Sequence, residues 1–88
     1  MNSPSFSAMR DGRVNLSWEN PTQVLNGKYT RRDGSRYYVE IPASQGGPVM
    51  TGTIEVYRDY VRSVRIEGMD GSTRYSVQFG GTGPAAPG

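Results

Sequence analysis

Two alternating runs on either side of an Asp-Gly pair decide the fold of this chain; they occupy residues 64–79 and read VRIEGMDGSTRYSVQF. Apolar and polar residues alternate on both sides of Asp70-Gly71. This period of two is typical of strands with one buried face and one solvent-exposed face. Because Asp and Gly tolerate a positive φ, the pair marks a tight turn. The stretch therefore predicts a β-hairpin.

The same pattern recurs along the chain. Clear alternating runs cover residues 13–18, 36–41 and 53–57, and weaker ones cover 6–8 and 25–31. Two further Asp-Gly pairs, at 11–12 and 33–34, separate neighbouring runs. Gly contributes 12 residues and Pro six, and they interrupt nearly every window long enough for a helix. We therefore expect an all-β, antiparallel protein.

Length and composition allow one small domain. The chain has 88 residues, of which 34% are hydrophobic, so its few large side chains must be well placed. We expect a single domain over residues 1–80. Residues 81–88, GTGPAAPG, are typical of a linker or a tail.

The residue types exclude several kinds of chemistry. The chain has no Cys and no His, so it lacks thiolate chemistry, disulfides and the commonest metal ligand and general base. Carboxylates are scattered, and the single Lys28 has no obvious Ser partner. No apolar run approaches the roughly 18 residues of a membrane span. We accordingly expect no enzyme activity, no catalytic residue, no cofactor, no metal and no membrane span.

Two stretches together resemble the fibronectin type III domain. Residues 14–21, VNLSWENP, are similar to the B strand of that family, and residues 64–79 are similar to its E strand, E–F corner and F strand. The resemblance implies a two-sheet antiparallel β-sandwich of the immunoglobulin-like kind. It also implies a tyrosine corner, in which the Tyr75 hydroxyl bonds backbone near Met69 or Asp70. The alternation alone is equally compatible with a small barrel.

The sandwich interpretation specifies a core. Trp18 is its expected anchor, because a buried Trp removes a large apolar area from water. The residues expected in the core are Trp18, Tyr37, Val39, Ile66, Met69, Tyr75 and Val77.

The sandwich would lack a regular last strand. The family continues into another strand after the position of Gly83-Pro84, whereas the sequence stops at Gly88. The edge formed by residues 74–79 would then be covered by the tail, by the extra segment 24–31, or by strand addition from a protein partner. The sequence does not choose among these three.

A surface rich in Tyr and Arg is the candidate binding site. Tyr and Arg are enriched at binding hot spots, they also stack on bases and bind phosphate, and they are common on ordinary solvated sheets. The candidate residues are Tyr29, Arg31, Arg32, Arg36, Tyr38, Tyr57, Arg58, Tyr60 and Arg62. The net charge is only +2, and bases are interleaved with acids, which favours a protein partner over nucleic acid.

These observations favour a non-catalytic interaction or spacer module. On the resemblance, it would belong to a secreted or cell-surface multidomain protein or to a phage virion protein. The alternative is a stand-alone small β protein that binds an acidic partner or nucleic acid through the Tyr/Arg surface. The sequence does not specify the partner or the oligomeric state.

Overall fold

The computed structural model of the chain describes residues 3–43 and 47–80, and it is all-β, as predicted. Every predicted alternating run lies in a strand. The strands are β1 (Ser5–Ala8), β2 (Arg13–Trp18), β3 (Gln23–Asp33), β4 (Arg36–Ile41), β5 (Met50–Tyr57), β6 (Tyr60–Asp70) and β7 (Thr73–Gly80).

All seven strands belong to one antiparallel sheet, in the order of the chain, and this sheet curls into a half-barrel. The expected two-sheet sandwich is not confirmed. In the sandwich, the strands corresponding to β2 and β4 would lie in different sheets. Here the 11-residue strand β3 lies between them and pairs with both, so it joins them into one sheet. The segment 24–31 therefore lies inside the sheet, and the alternative in which it covers the edge at 74–79 is wrong.

Two of the hairpins turn on Gly-Ser dipeptides. Asp33 pairs with Arg36 and Asp70 pairs with Thr73, so each loop contains only two residues. Gly34 and Gly71 hold φ angles of 63° and 64°, in the left-handed region that favours glycine. A glycine with positive φ at the first loop position matches the tight turns that suit the twist of a β-hairpin.

The apolar residues of successive strands line the inner face of the curled sheet. Of the predicted core residues, Tyr37, Val39 and Ile66 are buried, and Trp18 and Val77 are half-buried and pack against the core. Trp18 is therefore a border residue and not the central anchor. The buried core consists of Val14, Leu16, Tyr37, Val39, Ile41, Ile54, Val61, Val64 and Ile66.

Met69 and Tyr75 do not occupy the core that the resemblance implied for them. Their exposed fractions are 57% and 41%. They lie near the turn of the β6–β7 hairpin, where Tyr75 is paired with Gly68 and where residues 3–43 and 47–80 provide no second sheet to cover it. The Tyr75 hydroxyl makes no hydrogen bond to any described residue, so the tyrosine corner is absent from this part of the chain.

The curvature depends on close approach of the backbone at inward-facing glycines. Gly52 lies between Val39 and Ile66 in the sheet. A Cβ atom at Gly52 would collide with the carbonyl oxygen of Arg65 and would come within 2.6 Å of the Ile66 Cα. Gly27 is similar, since a Cβ there would collide with the Glu40 carbonyl. Glycine in a strand permits such approach and the tight bend that accompanies it.

We expect Gly52→Ala to destabilise the protein by about 2 kcal/mol, because strand β6 would have to move away from β5. Urea unfolding monitored by circular dichroism measures this loss. Thr51→Ala is the matched control on the outer face of the same strand, and it should cost less than about 1 kcal/mol. Equal stability of the two variants would contradict the close approach.

We expect Tyr75→Phe to change the free energy of unfolding by no more than about 0.5 kcal/mol, because the hydroxyl holds no partner among the described residues. Denaturant midpoints of the variant and the wild type measure this difference. A loss of about 1 kcal/mol or more would restore the corner hydrogen bond that the family resemblance implied.

Candidate functional site

The candidate surface residues lie on two hairpins that are neighbours in the sheet. One group lies on β3–β4 and the other on β5–β6, and both hairpins turn at the same end of the sheet because β4 pairs with β5. The Val56 amide also donates a 3.0 Å hydrogen bond to the Ser35 carbonyl. This bond joins the turn of the β3–β4 hairpin to the β5–β6 hairpin. We call residues 31–36 and 57–62 together the hairpin end.

On the outer face, the candidate residues form an ordered polar row. The Arg31 guanidinium lies over the Tyr38 ring, 4.5 Å from its centroid. Arg36 donates from Nη2 to Oε2 of Glu55 at 2.9 Å, and Ser63 Oγ donates to Glu55 Oε1 at 3.3 Å. Arg36 and Glu55 face each other directly across β4 and β5, so the register itself brings these opposite charges together.

The hydrogen bond from Arg36 holds the pKa of Glu55 below its ordinary value of 4.5, with a further contribution from Ser63. The pKa of Arg36 is raised, first by the neighbouring Tyr38 and then by Glu55. Both groups are thus held in their charged forms around neutral pH. This part of the surface is electrostatically satisfied within the chain.

Tyr29 is a supporting residue and not part of the exposed surface. It is half-buried, and its ring packs edge-on against Tyr37 at a centroid distance of 5.3 Å. Phe6 packs against the same ring at 5.1 Å, and the Arg32 guanidinium lies 5.0 Å from its centroid. This aromatic cluster fixes the inner side of the β3–β4 hairpin.

The tip of the β5–β6 hairpin is the most exposed aromatic group of the site. Tyr57 and Tyr60 are 47% and 56% exposed, and their rings meet edge-to-face at 5.8 Å. Arg58 lies over Tyr57, with its guanidinium 5.4 Å from the ring centroid. Tyr57 pairs with Tyr60, so Arg58 and Asp59 form a two-residue loop.

Arg58 adopts a backbone conformation that favours glycine. Its φ is 59°, close to the values of Gly34 and Gly71 at the same position in the other two tight hairpins. A non-glycine residue in the left-handed region carries a cost of roughly 1–2 kcal/mol. The hairpin therefore keeps a strained arginine where its two counterparts have an unstrained glycine.

Positive charge is concentrated at the hairpin end. It contains five of the chain's ten basic residues, namely Arg31, Arg32, Arg36, Arg58 and Arg62. The carboxylates beside them are Asp33, Asp59 and Glu55. Arg31 and Arg36 make ion pairs, whereas Arg32, Arg58 and Arg62 make none with the residues that the structure describes. When the adjoining Glu55 is counted with the hairpin end, its excess of two positive charges equals the net charge of the whole chain.

Neither the roles of Glu55 and Ser63 nor the conformation of Arg58 was predicted from the sequence. The role of Glu55 depends on the β4–β5 register, which a single sequence does not specify. A signal for Arg58 did exist. The run Tyr57-Arg58-Asp59-Tyr60 makes a tight turn without glycine, unlike the Asp-Gly-Ser turns of the other two hairpins.

The depression that the described residues form beside the site is open to solvent. It has a volume of about 280 Å³ and is lined by Arg36, Thr53, Glu55, Ser63, Val64, Arg65, Gln78, Phe79 and Gly80. The Arg36–Glu55 ion pair forms part of its wall. Across residues 3–43 and 47–80, no three acidic side chains cluster in a way that could hold a metal ion. The arrangement provides a contact surface of tyrosine rings and guanidinium groups.

No protein-family model, curated protein or solved structure matches the chain. The resemblance to fibronectin type III domains consequently rests on the two quoted stretches alone. Within the described ranges, the chain contains no helix of the length and apolarity needed to cross a membrane.

We expect Arg36→Gln to raise the pKa of Glu55 towards 4.5, because its first hydrogen-bond donor is lost. Side-chain carboxyl NMR titration measures this shift. A lowered native pKa stabilises the fold above the unfolded pKa, and that contribution disappears as the pH falls through the native pKa. Wild type and variant should therefore converge in stability at low pH. Arg65→Gln is the control and should leave Glu55 unchanged; an equal effect would contradict the specific pair.

Proposed function

We propose that the chain is a non-catalytic protein-binding module that uses the hairpin end as its contact surface. The strained Arg58 at the tip between two exposed tyrosines is the observation that carries the proposal. A setting in a secreted, cell-surface or virion protein rests on the fibronectin type III resemblance alone. A domain that only spaces its neighbours apart would need neither the strained Arg58 nor the exposed tyrosines beside it.

The strain at Arg58 has no structural benefit that glycine would not supply. A two-residue hairpin loop accepts glycine at this position without cost, as at Gly34 and Gly71. Backbone strain that the fold does not require is concentrated at functional sites. The backbone conformation at position 58 favours glycine. We therefore attribute the presence of arginine there to a function of its side chain.

The tip of the β5–β6 hairpin has the residue types of a binding hot spot, and its side chains are held in place by contacts within the tip. Tyr, Trp and Arg dominate the residues whose loss weakens protein interfaces most. Tyr57 contacts both Arg58 and Tyr60 before any partner arrives. Contacts of this kind reduce the side-chain entropy that binding would otherwise cost. The paired strands β5 and β6 hold the tip in place.

The charge distribution specifies the chemistry of the partner. Arg32, Arg58 and Arg62 have no ion-pair partner among the described residues, so their charges are available to carboxylates of another protein. Complementary charge of this type increases the association rate and selects partners. We propose a partner surface that combines acidic groups with apolar groups able to cover the tyrosine rings.

Nucleic acid is the rival ligand, and the ring geometry disfavours it. Bases bind single-stranded nucleic-acid sites by stacking on open aromatic faces. Arg58 lies over the ring of Tyr57, and Arg31 lies over the ring of Tyr38. One face of each of these rings is therefore already occupied.

An NMR titration tests the proposal. The labelled protein is titrated separately with a short peptide of alternating Glu and Leu and with a single-stranded oligonucleotide of the same net charge. Peptide-induced shifts confined to residues 31–36 and 57–62 would support the proposal. Preferential binding of the oligonucleotide, lost steeply between about 50 and 200 mM salt, would replace it with the nucleic-acid alternative. No shift with either ligand would favour a spacer.

We expect Arg58→Gly to stabilise the free protein by about 1 kcal/mol and to weaken peptide binding several-fold, because it removes the strain together with the contact group. Urea unfolding and the same titration measure the two effects. Arg74→Ala removes an equal charge outside the hairpin end and should leave binding within about twofold, as expected for a screened distant charge. Unchanged peptide affinity in Arg58→Gly would contradict the assigned role of the tip.

A further inference from the structure

The last strand, β7, is an edge strand with its outer side open to the rest of the described chain. It pairs with β6 on one side, and no described strand pairs with it on the other. Across the interior of the curled sheet, β1 approaches β6 more extensively than it approaches β7, so the sheet does not close on its last strand. The edge is eight residues long, close to an ordinary strand in length.

The register identifies the backbone groups that face outward. Asp70 and Thr73 flank a two-residue loop, so they form a hydrogen-bonded pair, and pairs of this kind alternate along an antiparallel ladder. Tyr75 and Val77 therefore bond to β6. The N–H and C=O groups of Arg74, Ser76 and Gln78 point away from the sheet.

This edge lacks the usual features that prevent strand pairing. Natural edges carry charges, prolines, bulges or very short strands. Strand β7 contains no proline, no register shift in its pairing with β6, and one charged residue, Arg74. The opposite edge, β1, is only four residues long and directly follows Pro4. The two edges of the sheet are therefore unequal, and only β7 is suited to pairing.

Strand β7 is complementary to itself. In an antiparallel pair centred on Ser76, this residue faces its own copy, Arg74 faces Gln78, and Tyr75 faces Val77. The only charge of the strand then lies opposite a neutral amide. The partly exposed Tyr75 gains an apolar neighbour. The three outward pairs would supply about six backbone hydrogen bonds.

We propose that β7 pairs with β7 of a second copy of this chain, about a two-fold axis at Ser76, to form one continuous sheet. This is an isologous interface, in which the same strand serves both sides. It uses the backbone of β7 and not the side chains of the hairpin end. A test of this pairing is therefore independent of a test of the proposed binding of an acidic protein.

Sedimentation equilibrium of the full chain tests the pairing. We expect a monomer–dimer equilibrium that Ser76→Lys weakens at least tenfold, because the new charges lie directly opposite each other across the axis. Ser76→Glu should do the same, and an equimolar mixture of the two variants should regain dimerisation. Thr51→Lys is the matched control: it adds the same charge on the outer face of the interior strand β5 and should leave dimerisation unchanged.

Amide hydrogen exchange supplies a readout at single residues. The amides of Ser76 and Gln78 should exchange more slowly as the protein concentration rises, whereas those of Tyr75 and Val77 should be protected at every concentration. A monomer at all concentrations overturns the proposal. In that case, slow exchange at Ser76 and Gln78 assigns the edge to residues 81–88, and fast exchange leaves it open or reserved for a different protein. A dimer that Ser76→Lys does not weaken also overturns the proposed register.

Discussion

The close approach of β5 and β6 at Gly52 is the constraint on which the rest of this structure depends. A chain with 34% hydrophobic residues and no helix in its described part has no second layer with which to cover a flat sheet. Its single sheet must cover its own apolar face, and it does so by bending. The missing Cβ atoms at Gly52 and Gly27 allow neighbouring backbones to come close together on the inner face of the sheet. The buried cluster around Leu16, Ile54 and Ile66 is the result.

The way in which the sheet bends also decides where the structure remains open. Because β1 approaches β6, the last strand lies beyond the covered interior. The inner-face residues of β7 are accordingly only half-buried or exposed, and its outer backbone groups have no partner strand within the described residues. The exposure of Tyr75 and the open edge thus have one cause. A second sheet packed on this face, as in a sandwich, would have covered the Tyr75 side chain.

The hairpin end combines rigid strand pairing with a strained residue at its tip. Cross-strand pairs such as Arg36–Glu55 and the packing around Tyr37 make the two hairpins rigid. Exposed ion pairs of this sort contribute little to stability, but a rigid ladder positions the side chains at its end. The strained Arg58 is tolerated because paired strands enforce the turn on both sides. Local strain and local order therefore occur together at the surface proposed to bind a partner.

The sequence by itself determined the all-β class, the position of each strand and two of the tight turns, because period-two alternation and Asp-Gly pairs act over a few residues. It also identified the Tyr and Arg residues of the hairpin end, since composition is local information. Only the tertiary structure decided that these strands form one curled sheet. The pairing of β3 with both β2 and β4 is a long-range choice, and similar alternation is compatible with a sandwich or a barrel. For the same reason, the exposure of Met69 and Tyr75, the Arg36–Glu55 pair and the left-handed backbone of Arg58 follow from register and packing, which no short stretch of this sequence contains.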